Sequence, residues 1–268
     1  MLSKNKIKYI RSLELKKKRK EEQVFVAEGH KLVGDLLGHF PCKLLIATSN
    51  WLKMNHSATA NEIIEVTQEE LSRASLQKTP QEVLAVFVQP SYDLNPEVIK
   101  SSLCLALDDV QDPGNLGTII RLADWFGIEH IFCSTGTADV YNPKTVQATM
   151  GALARVKVHY CSLPQLIESL TDIPVYGTFL NGNIIYTESL SAHGLIVMGN
   201  EGKGVSLEVE KLINNKLYIP NYPQERETSE SLMWQLPQQW FARSQKTFIA
   251  LKFIFPSVYV TISEWEIL

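Results

Sequence analysis

Short apolar runs separated by amphipathic segments cover the first 90 residues of the chain. Apolar runs bounded by turn residues predict buried strands, and apolar positions three or four residues apart predict helices. We predict strands at 23–28, 43–48, 63–67 and 83–88, and helices at 4–20, 30–37 and 68–74. The pattern is typical of a small α/β domain.

The same alternation resumes after a polar segment with two prolines, Pro90–Pro96, which we interpret as a linker. Beyond it we predict strands at 103–107, 130–133, 156–160, 175–179, 195–198 and 217–220, and helices at 115–126, 143–153 and 163–170. The first of these helices would place Ile119, Ile120, Ala123 and Trp125 on its apolar side and end at Gly127. Strands alternating with helices predict a mostly parallel sheet, and such sheets bind ligands beyond the carboxyl ends of their strands. The candidate site segments are therefore 108–115, 178–183 and 199–204.

The composition is that of an ordinary globular protein. The chain has 268 residues, of which 45% are hydrophobic and 21% charged, enough for two domains. We predict one domain at 1–90, a linker at 91–102, a second domain at 103–232 and an unusual tail at 233–268.

Cysteine usage and hydropathy point to a cytoplasmic protein. Cys42, Cys104, Cys133 and Cys161 stand alone in apolar runs without C-x-x-C spacing, as expected of buried thiols in a reducing compartment. The charged N-terminal end does not resemble a signal peptide, and no uncharged apolar stretch reaches membrane-spanning length. The six histidines are scattered without metal-ligand spacing, so we expect no metal site.

The net charge of −3 conceals a basic N-terminal end. Residues 1–20 hold nine Lys or Arg and one acidic residue, so the rest of the chain is acidic. Local positive charge suffices for a phosphate contact, which makes the run Lys16, Lys17, Lys18, Arg19 and Lys20 a candidate RNA-binding segment. The alternative is a solubilising helix end.

Three segments carry candidate chemistry. The first is the turn and helix Asp112–Arg121, in which Asn115 and Arg121 share roughly one face; alternatively, Asn115 only caps the helix and Arg121 is a surface residue. The second is the glycine-rich loop Val197–Ser206, which lacks the spacing of a nucleotide-binding P-loop. The third is the strand at 217–220, followed by Ser231-Leu232.

In this order and spacing, the segments N-x-G-x-x-x-R, G-x-E-x-x-G and I-P…S-L resemble the SpoU/TrmH family of RNA ribose 2′-O-methyltransferases, within the SPOUT superfamily. The resemblance implies an α/β fold: an N-terminal L7Ae/L30e-like substrate-binding domain, then a trefoil-knotted methyltransferase domain with a mostly parallel sheet. It also implies S-adenosylmethionine as methyl donor, RNA as substrate (rRNA favoured over tRNA) and a homodimer.

The resemblance assigns roles residue by residue. Asn115 and Arg121 correspond to the first catalytic motif and Glu201 to the second. Because an arginine is a poor general base, we expect Arg121 to act as a clamp on phosphate or ribose, oriented by Asn115 and Glu201. The expected donor-binding residues are Thr178, Leu180, Gly199, Ile219 and Leu232.

The third family motif, S-L-N-V-A, breaks after Leu232. Here Met233-Trp234-Gln235 follows, and Pro237 falls where a helix interior is expected. Restoring one base before the Met233 codon makes the reading Asn-Val-Ala, so we interpret the tail as the product of a one-base deletion; the alternative is genuine divergence. We expect this tail to impair solubility, dimerisation and activity.

Two other functions remain open from the residues. A non-catalytic RNA-binding protein with a broken methyltransferase site is one, and donor binding separates it from an enzyme. Another SPOUT enzyme that methylates a base nitrogen is the second, but the first motif disfavours it.

Overall fold

The computed structural model describes residues 2–185 and 187–218. Within these residues, the helices are α1 Lys4–Ser12, α2 Lys16–Glu22, α3 His30–Leu36, α4 Ser49–Met54, α5 Gln68–Ala74, α6 Val98–Ser101, α7 Pro113–Trp125, α8 Pro143–Ala148, α9 Leu163–Glu168 and α10 Leu207–Glu210. The strands are β1 Val24–Glu28, β2 Cys42–Ala47, β3 Ile63–Glu65, β4 Val83–Val88, β5 Leu103–Leu107, β6 His130–Cys133, β7 Lys157–Tyr160, β8 Val175–Ile184, β9 Gly194–Met198 and β10 Asn215–Tyr218.

The N-terminal strands form a four-stranded sheet in the order β1-β4-β2-β3. Strand β4 pairs antiparallel with both β1 and β2, whereas β2 and β3 are parallel. All five residues of β1 are buried, in agreement with the apolar run that predicted this strand. Phe25 on β1 stacks on Phe87 of β4 with 5.5 Å between ring centroids.

The second sheet has six strands in the order β10-β8-β9-β5-β6-β7. The four pairings from β10 to β6 are all parallel. Strands β5 and β9 are buried along their whole length, because both faces of a parallel sheet are covered. The predicted α/β class with a mostly parallel sheet is confirmed.

The basic helix predicted at 4–20 is wrong as a single element. Helix α1 ends at Ser12, and α2 begins at Lys16. Leu13 is fully buried in the intervening turn, and the guanidinium of Arg19 donates to the carbonyls of Leu13 and Glu14. Burial of Leu13 and this capping by Arg19 favour a turn over a continuous helix.

Two element ends and the placement of one side chain differ clearly from the sequence predictions. The helix predicted at 143–153 ends at Ala148, and Met150 and Gly151 have φ values of 52° and 92°, outside the right-handed helical region. Strand β8 runs five residues beyond the predicted Phe179, to Ile184. Trp125 is 82% exposed rather than on the apolar side of α7, because its position is turned away from the stripe of Leu116, Ile119, Ile120 and Ala123.

The described residues fall into two compact units. One comprises 2–94, 110–124 and 136–159; the other comprises 95–109, 125–135 and the described residues from 160 onward. The domain limits 1–90, 91–102 and 103–232, the L7Ae/L30e-like topology and the trefoil knot stay predictions. The tail 233–268 lies outside the described residues.

Within the described part, no helix has the length and apolarity needed to cross a membrane. The same part of the chain contains no group of three or more His, Cys, Asp or Glu side chains that could hold a metal ion.

Candidate functional site

Asp108, which follows β5, forms hydrogen bonds with the end of β9 and with the loop after it. The N–H of Asp108 donates to the carbonyl of Met198 at 2.8 Å, and Asp108 Oδ2 accepts from the N–H of Ser206 at 2.8 Å. Asp108 is buried, so its carboxylate accepts hydrogen bonds from protein groups rather than from water. This residue fixes the two loops against each other at the carboxyl end of the sheet.

Asp109 adds a connection to the loop after β6. Its N–H donates to Ser134 Oγ at 2.9 Å, and its carbonyl accepts from Asn200 Nδ2 at 2.8 Å. Asp109 has a φ of 60°, a conformation that short polar residues tolerate better than others do. The loops after β5, β6 and β9 therefore form one hydrogen-bonded cluster.

The glycine-rich loop after β9 is closed by Asn200. The main chains of Asn200 and Gly204 exchange two hydrogen bonds, and Asn200 Oδ1 accepts from the N–H groups of Gly202 and Lys203. A Cβ on Gly199 would lie 2.2 Å from the carbonyl carbon of Gly204, so only glycine fits there. Glu201 lies half-buried within this closed loop.

Strand β8 leaves its pairing with β10 in the segment that carries two predicted donor-binding residues. Gly177 pairs with Lys216, but Leu217, the next residue of β10, pairs with Asn183. Residues 178–182, which include Thr178 and Leu180, therefore have no partner in β10. Bulges of this kind redirect residues near binding sites, and Thr178 is half-buried in this one.

Helix α7 carries the first predicted catalytic motif. Asp112 caps it: Oδ1 of Asp112 accepts from the N–H of Asn115 at 2.9 Å. Asn115 thus lies in the first turn, and the alternative in which Asn115 itself is the cap is wrong. Lys144 donates to Asp112 at 2.8 Å and, with the N–H groups of the turn, holds the pKa of the Asp112 carboxyl below its usual value.

The middle of α7 packs closely on α8. A Cβ on Gly117 would lie 2.5 Å from the Cβ of Ala148 and 2.6 Å from the carbonyl oxygen of Thr145. Arg121 lies one turn further along α7 and is exposed. It forms no ion pair with any residue that the structure describes.

The predicted site residues are distributed over these elements. Gly199 and Glu201 lie in the closed loop, Thr178 and Leu180 in the bulge, and Asn115 and Arg121 on α7. Ile219 and Leu232 lie outside the described residues. The grouping of Asn115, Arg121 and Glu201 into one catalytic set stays a prediction.

Sequence reasoning placed Asp108, Asp109 and Asn200 in candidate site segments but missed that these residues hold the loops together. One signal was available: two acidic residues directly follow a fully apolar strand. Asp108 binds main-chain groups at the end of β9 and in the loop after it, and the main chain of Asp109 binds the side chains of Ser134 and Asn200.

The candidate RNA-binding run loses one member. Arg19 is 1% exposed, and its guanidinium binds two main-chain carbonyls and the carboxylate of Asp139. The prediction that Arg19 contacts RNA is therefore not supported, since its charge is already engaged. Lys16, Lys17 and Lys20 are exposed, and Lys18 pairs with Glu21 and Glu22 on its own helix.

Comparison with known proteins defines the class. Residues 102–227 match the SpoU rRNA Methylase family, and residues 4–85 match the MRM3-like substrate binding domain. Because relatives of this family also resemble most of the chain, the chain belongs to the SpoU family of RNA methylases. The resemblance inferred from the motifs is confirmed.

Individual relatives extend the likeness over most of the chain. The Bacillus subtilis 23S rRNA (guanosine(2553)-2′-O)-methyltransferase RlmP is 30% identical over 223 residues, which are 82% of this chain and 88% of that protein. A TrmH-family structure from Porphyromonas gingivalis is 41% identical, with a TM-score of 0.81 over 91% of this chain and 100% of that one. An AdoMet-bound rRNA methyltransferase from Sinorhizobium meliloti is 28% identical, with a TM-score of 0.75 over 95% and 97% of the two chains.

Proposed function

We propose that this chain transfers a methyl group from S-adenosylmethionine to a ribose 2′-hydroxyl of ribosomal RNA. The observation that carries the proposal is the cluster of tied loops after β5, β6 and β9, in a chain of the SpoU family. Relatives that are similar over most of their length methylate 23S rRNA or hold AdoMet.

The residues present fit the methyl donor. At Gly199 the main chains of two segments approach each other closely, and the pairing of β8 with β10 shifts register at 178–182. Thr178, Leu180 and Gly199 would hold the donor, together with Ile219 and Leu232 of the segment beyond the described residues. When bound, S-adenosylmethionine supplies an electrophilic methyl group.

Helix α7 and the glycine-rich loop supply the protein's part in the transfer. A ribose hydroxyl is a weak nucleophile, and it attacks well only if it is held in line with the methyl group and its developing negative charge is stabilised. Exposed Arg121 provides a fixed positive charge and several donors for a phosphate or a ribose oxygen. Asn115 and Glu201 orient this guanidinium in the proposal.

Ribosomal RNA is favoured over transfer RNA as the substrate. The N-terminal match to a substrate-binding domain and the rRNA relatives support this choice. Lys16, Lys17 and Lys20 provide exposed positive charge for the RNA backbone. Their replacement by glutamine should weaken RNA binding evenly across sequences and flatten its dependence on salt, because each phosphate contact releases counterions.

We extend the proposal to a homodimer in the cytoplasm. Trp125 and Leu207 are 82% and 76% exposed, and burial of such apolar side chains against a second copy would stabilise a dimer. The four cysteines are all free thiols, which supports a reducing compartment. Light scattering of the purified chain tests the dimer.

The first test is calorimetric titration of S-adenosylmethionine into this chain and into a version whose tail is read with one base inserted before the Met233 codon. Saturable binding of one donor per chain supports the proposal. Binding by that version alone assigns the loss to the tail after Leu232. If neither chain binds the donor, the proposed activity is wrong.

The second test separates chemistry from binding. Arg121→Ala should abolish methyl transfer to rRNA while leaving donor affinity nearly unchanged, because Arg121 is assigned to the RNA and not to the donor. Retained turnover in Arg121→Ala would remove Arg121 from the catalytic set.

A further inference from the structure

An acidic residue occupies an unfavourable place on the helix that carries Arg121. Asp124 is the last residue but one of α7, where the helix dipole has its negative end. The structure compensates with Arg155, which follows the short 3₁₀-helix Ala152–Ala154. Arg155 Nε donates to Asp124 Oδ1 at 2.7 Å, and Arg155 Nη2 donates to Asp124 Oδ2 at 2.6 Å.

This arrangement uses both oxygens of the carboxylate. Parallel donation from a planar guanidinium is the strongest geometry that an arginine offers to a carboxylate, and a lysine cannot reproduce it. The side chain of Asp124 is 21% exposed, so the pair is partly shielded from water. The pairing also raises the pKa of Arg155.

Arg121 and Asp124 are three residues apart on the same helix. Residues at this spacing are neighbours on a helix surface, and oppositely charged pairs there attract each other. Nevertheless, Arg121 is exposed and forms no ion pair within the described chain, whereas Asp124 pairs with the more distant Arg155. Arg155 therefore binds the carboxylate of Asp124, the acidic residue of α7 that is placed to pair with Arg121.

We infer that Arg155 is a positioning residue for methyl transfer: by holding both carboxylate oxygens of Asp124, it keeps the guanidinium of Arg121 available to RNA. This inference rests on the proposed function for its kinetic consequence, but the pairing itself does not depend on that function. Without Arg155, the carboxylate of Asp124 is free to turn toward Arg121.

Methyl-transfer kinetics distinguish this role from simple stabilisation. Arg155→Ala should lower kcat about two- to fivefold, the effect of one surface ion pair, with donor affinity unchanged. Arg155→Lys, which keeps the charge but not the double hydrogen bond, should fall between this variant and the unmodified chain. The double variant Arg155→Ala/Asp124→Asn should recover kcat, because no carboxylate is left to capture Arg121. Asp124→Asn alone should keep it.

The outcome that overturns the inference is equally specific. If Asp124→Asn or the double variant loses as much activity as Arg155→Ala, the pair merely supports the fold. Arg73→Ala, which breaks the exposed Arg73–Glu69 pair on α5, is the matched control and should leave kcat unchanged.

A chemical readout tests the pairing without any activity. Phenylglyoxal modifies arginines that are free of ion pairs, and peptide mass spectrometry reports the modified fraction of Arg121. We expect phenylglyoxal to modify Arg121 more slowly in Arg155→Ala than in the chain without substitutions. The double variant should recover the faster rate. Unchanged modification in Arg155→Ala would refute the inference. The expected pattern without methyl transfer in any variant would instead refute the proposed function alone.

Discussion

At the scale of single residues, main-chain contacts dominate the candidate donor site. Asp108 and Asn200 each bind peptide groups of a neighbouring loop or of their own loop, and Gly199 lies where any side chain would meet main chain. A main-chain obstacle cannot move aside as the end of a flexible side chain does. The shape of this site therefore depends on the lack of a Cβ atom at Gly199 as well as on the hydrogen bonds of Asp108 and Asn200.

Gly199→Ala should destabilise the loop and abolish donor binding. Its Cβ would lie 2.2–2.4 Å from atoms of Gly204 and Val205, and such overpacking costs about 1–3 kcal/mol. Urea unfolding and donor calorimetry measure the two effects. Gly202→Ala is the matched control in the same loop, because its Cβ would meet only Asn200 Oδ1, at 3.8 Å. Equal behaviour of the two variants would contradict the packing argument.

The buried carboxyl of Glu28 should make stability depend on pH. Burial raises the pKa of Glu28, and hydrogen bonds from Ser75 and from the N–H of Leu76 offset only part of this rise. Its folded-state pKa therefore lies above its unfolded value. The contribution of the protonated group to stability is complete below the unfolded pKa and is lost as the pH rises through the folded pKa.

Comparison of the chain with Glu28→Gln tests this dependence. The stability of the unmodified chain relative to Glu28→Gln should fall as the pH rises through that window, as measured by urea unfolding at a series of pH values. The exposed Glu168→Gln controls for the loss of one carboxylate elsewhere. A stability difference for Glu28→Gln that stays constant over the acidic range would show that burial does not perturb Glu28.

At the scale of elements, α7 is held to the segment 143–155 at three heights. Lys144 pairs with Asp112 at its start, Gly117 packs on α8 at its middle, and Arg155 binds Asp124 at its end. A helix fixed along its length presents its exposed side chains in a defined direction. The role proposed for Arg121 as a clamp on RNA requires such a fixed direction.

Two glycine-to-alanine substitutions should change the free energy of unfolding in opposite directions. Alanine is the better helix former by about 1 kcal/mol, yet Gly117→Ala should destabilise the protein, because its Cβ would meet Ala148 at 2.5 Å. Gly34→Ala on α3 should stabilise it by about 0.5–1 kcal/mol, since nothing lies within 4 Å of the added atom. Urea unfolding of both variants measures the difference. A stabilising Gly117→Ala would exclude the close contact between α7 and α8.

At the scale of the whole molecule, one compact unit is built from segments far apart in sequence. Asp139 forms an ion pair at 2.5 Å with Arg19, and Tyr141 stacks on Phe25 with 5.1 Å between ring centroids. The segment 136–159 and the first strand and helices are thereby joined in a single core. The N-terminal sheet and α7 belong to the same unit through this segment.

Asp139→Asn should cost about 3 kcal/mol or more of unfolding free energy. The side chains of Arg19 and Asp139 are 2% and 16% exposed, and removal of one partner leaves a buried charge unpaired. Glu69→Gln breaks a pair whose side chains are 62% and 78% exposed, and it should cost less than about 1 kcal/mol. Similar losses for both variants, measured by urea unfolding, would show that Arg19 finds another partner or solvent.

The pattern of apolar residues predicted the limits of several strands better than it predicted the limits of the helices. The apolar runs at 83–88, 103–107 and 130–133 are strands with the predicted limits. Such runs carry their own signal, because both faces of each strand are buried. The break between α1 and α2 had no comparable signal, since it depends on the burial of Leu13 and Arg19 and on the pairing of Arg19 with Asp139, 120 residues away.

The candidate site was predictable where it rests on motifs. Gly199, Glu201, Asn115 and Arg121 were named from spacing and resemblance. The bulge in β8 was not predicted from the sequence, because a change of pairing register depends on the neighbouring strand β10. The roles of Asp108 and Asn200 depend on loops that the sequence separates by about 90 residues, and no local pattern reports such contacts.

The pairing of Arg19 with Asp139 also means that the N-terminal segment cannot complete its folding until residue 139 has been synthesised. The two residues are 120 positions apart, so at about 5–20 residues per second a ribosome needs about 6–24 s to make the second after the first. During that interval the nascent N-terminal segment holds an arginine whose carboxylate does not yet exist. The first strands and helices therefore reach their final stability only once residue 139 has left the ribosome, and folding of this unit is coupled to translation of the chain's second half.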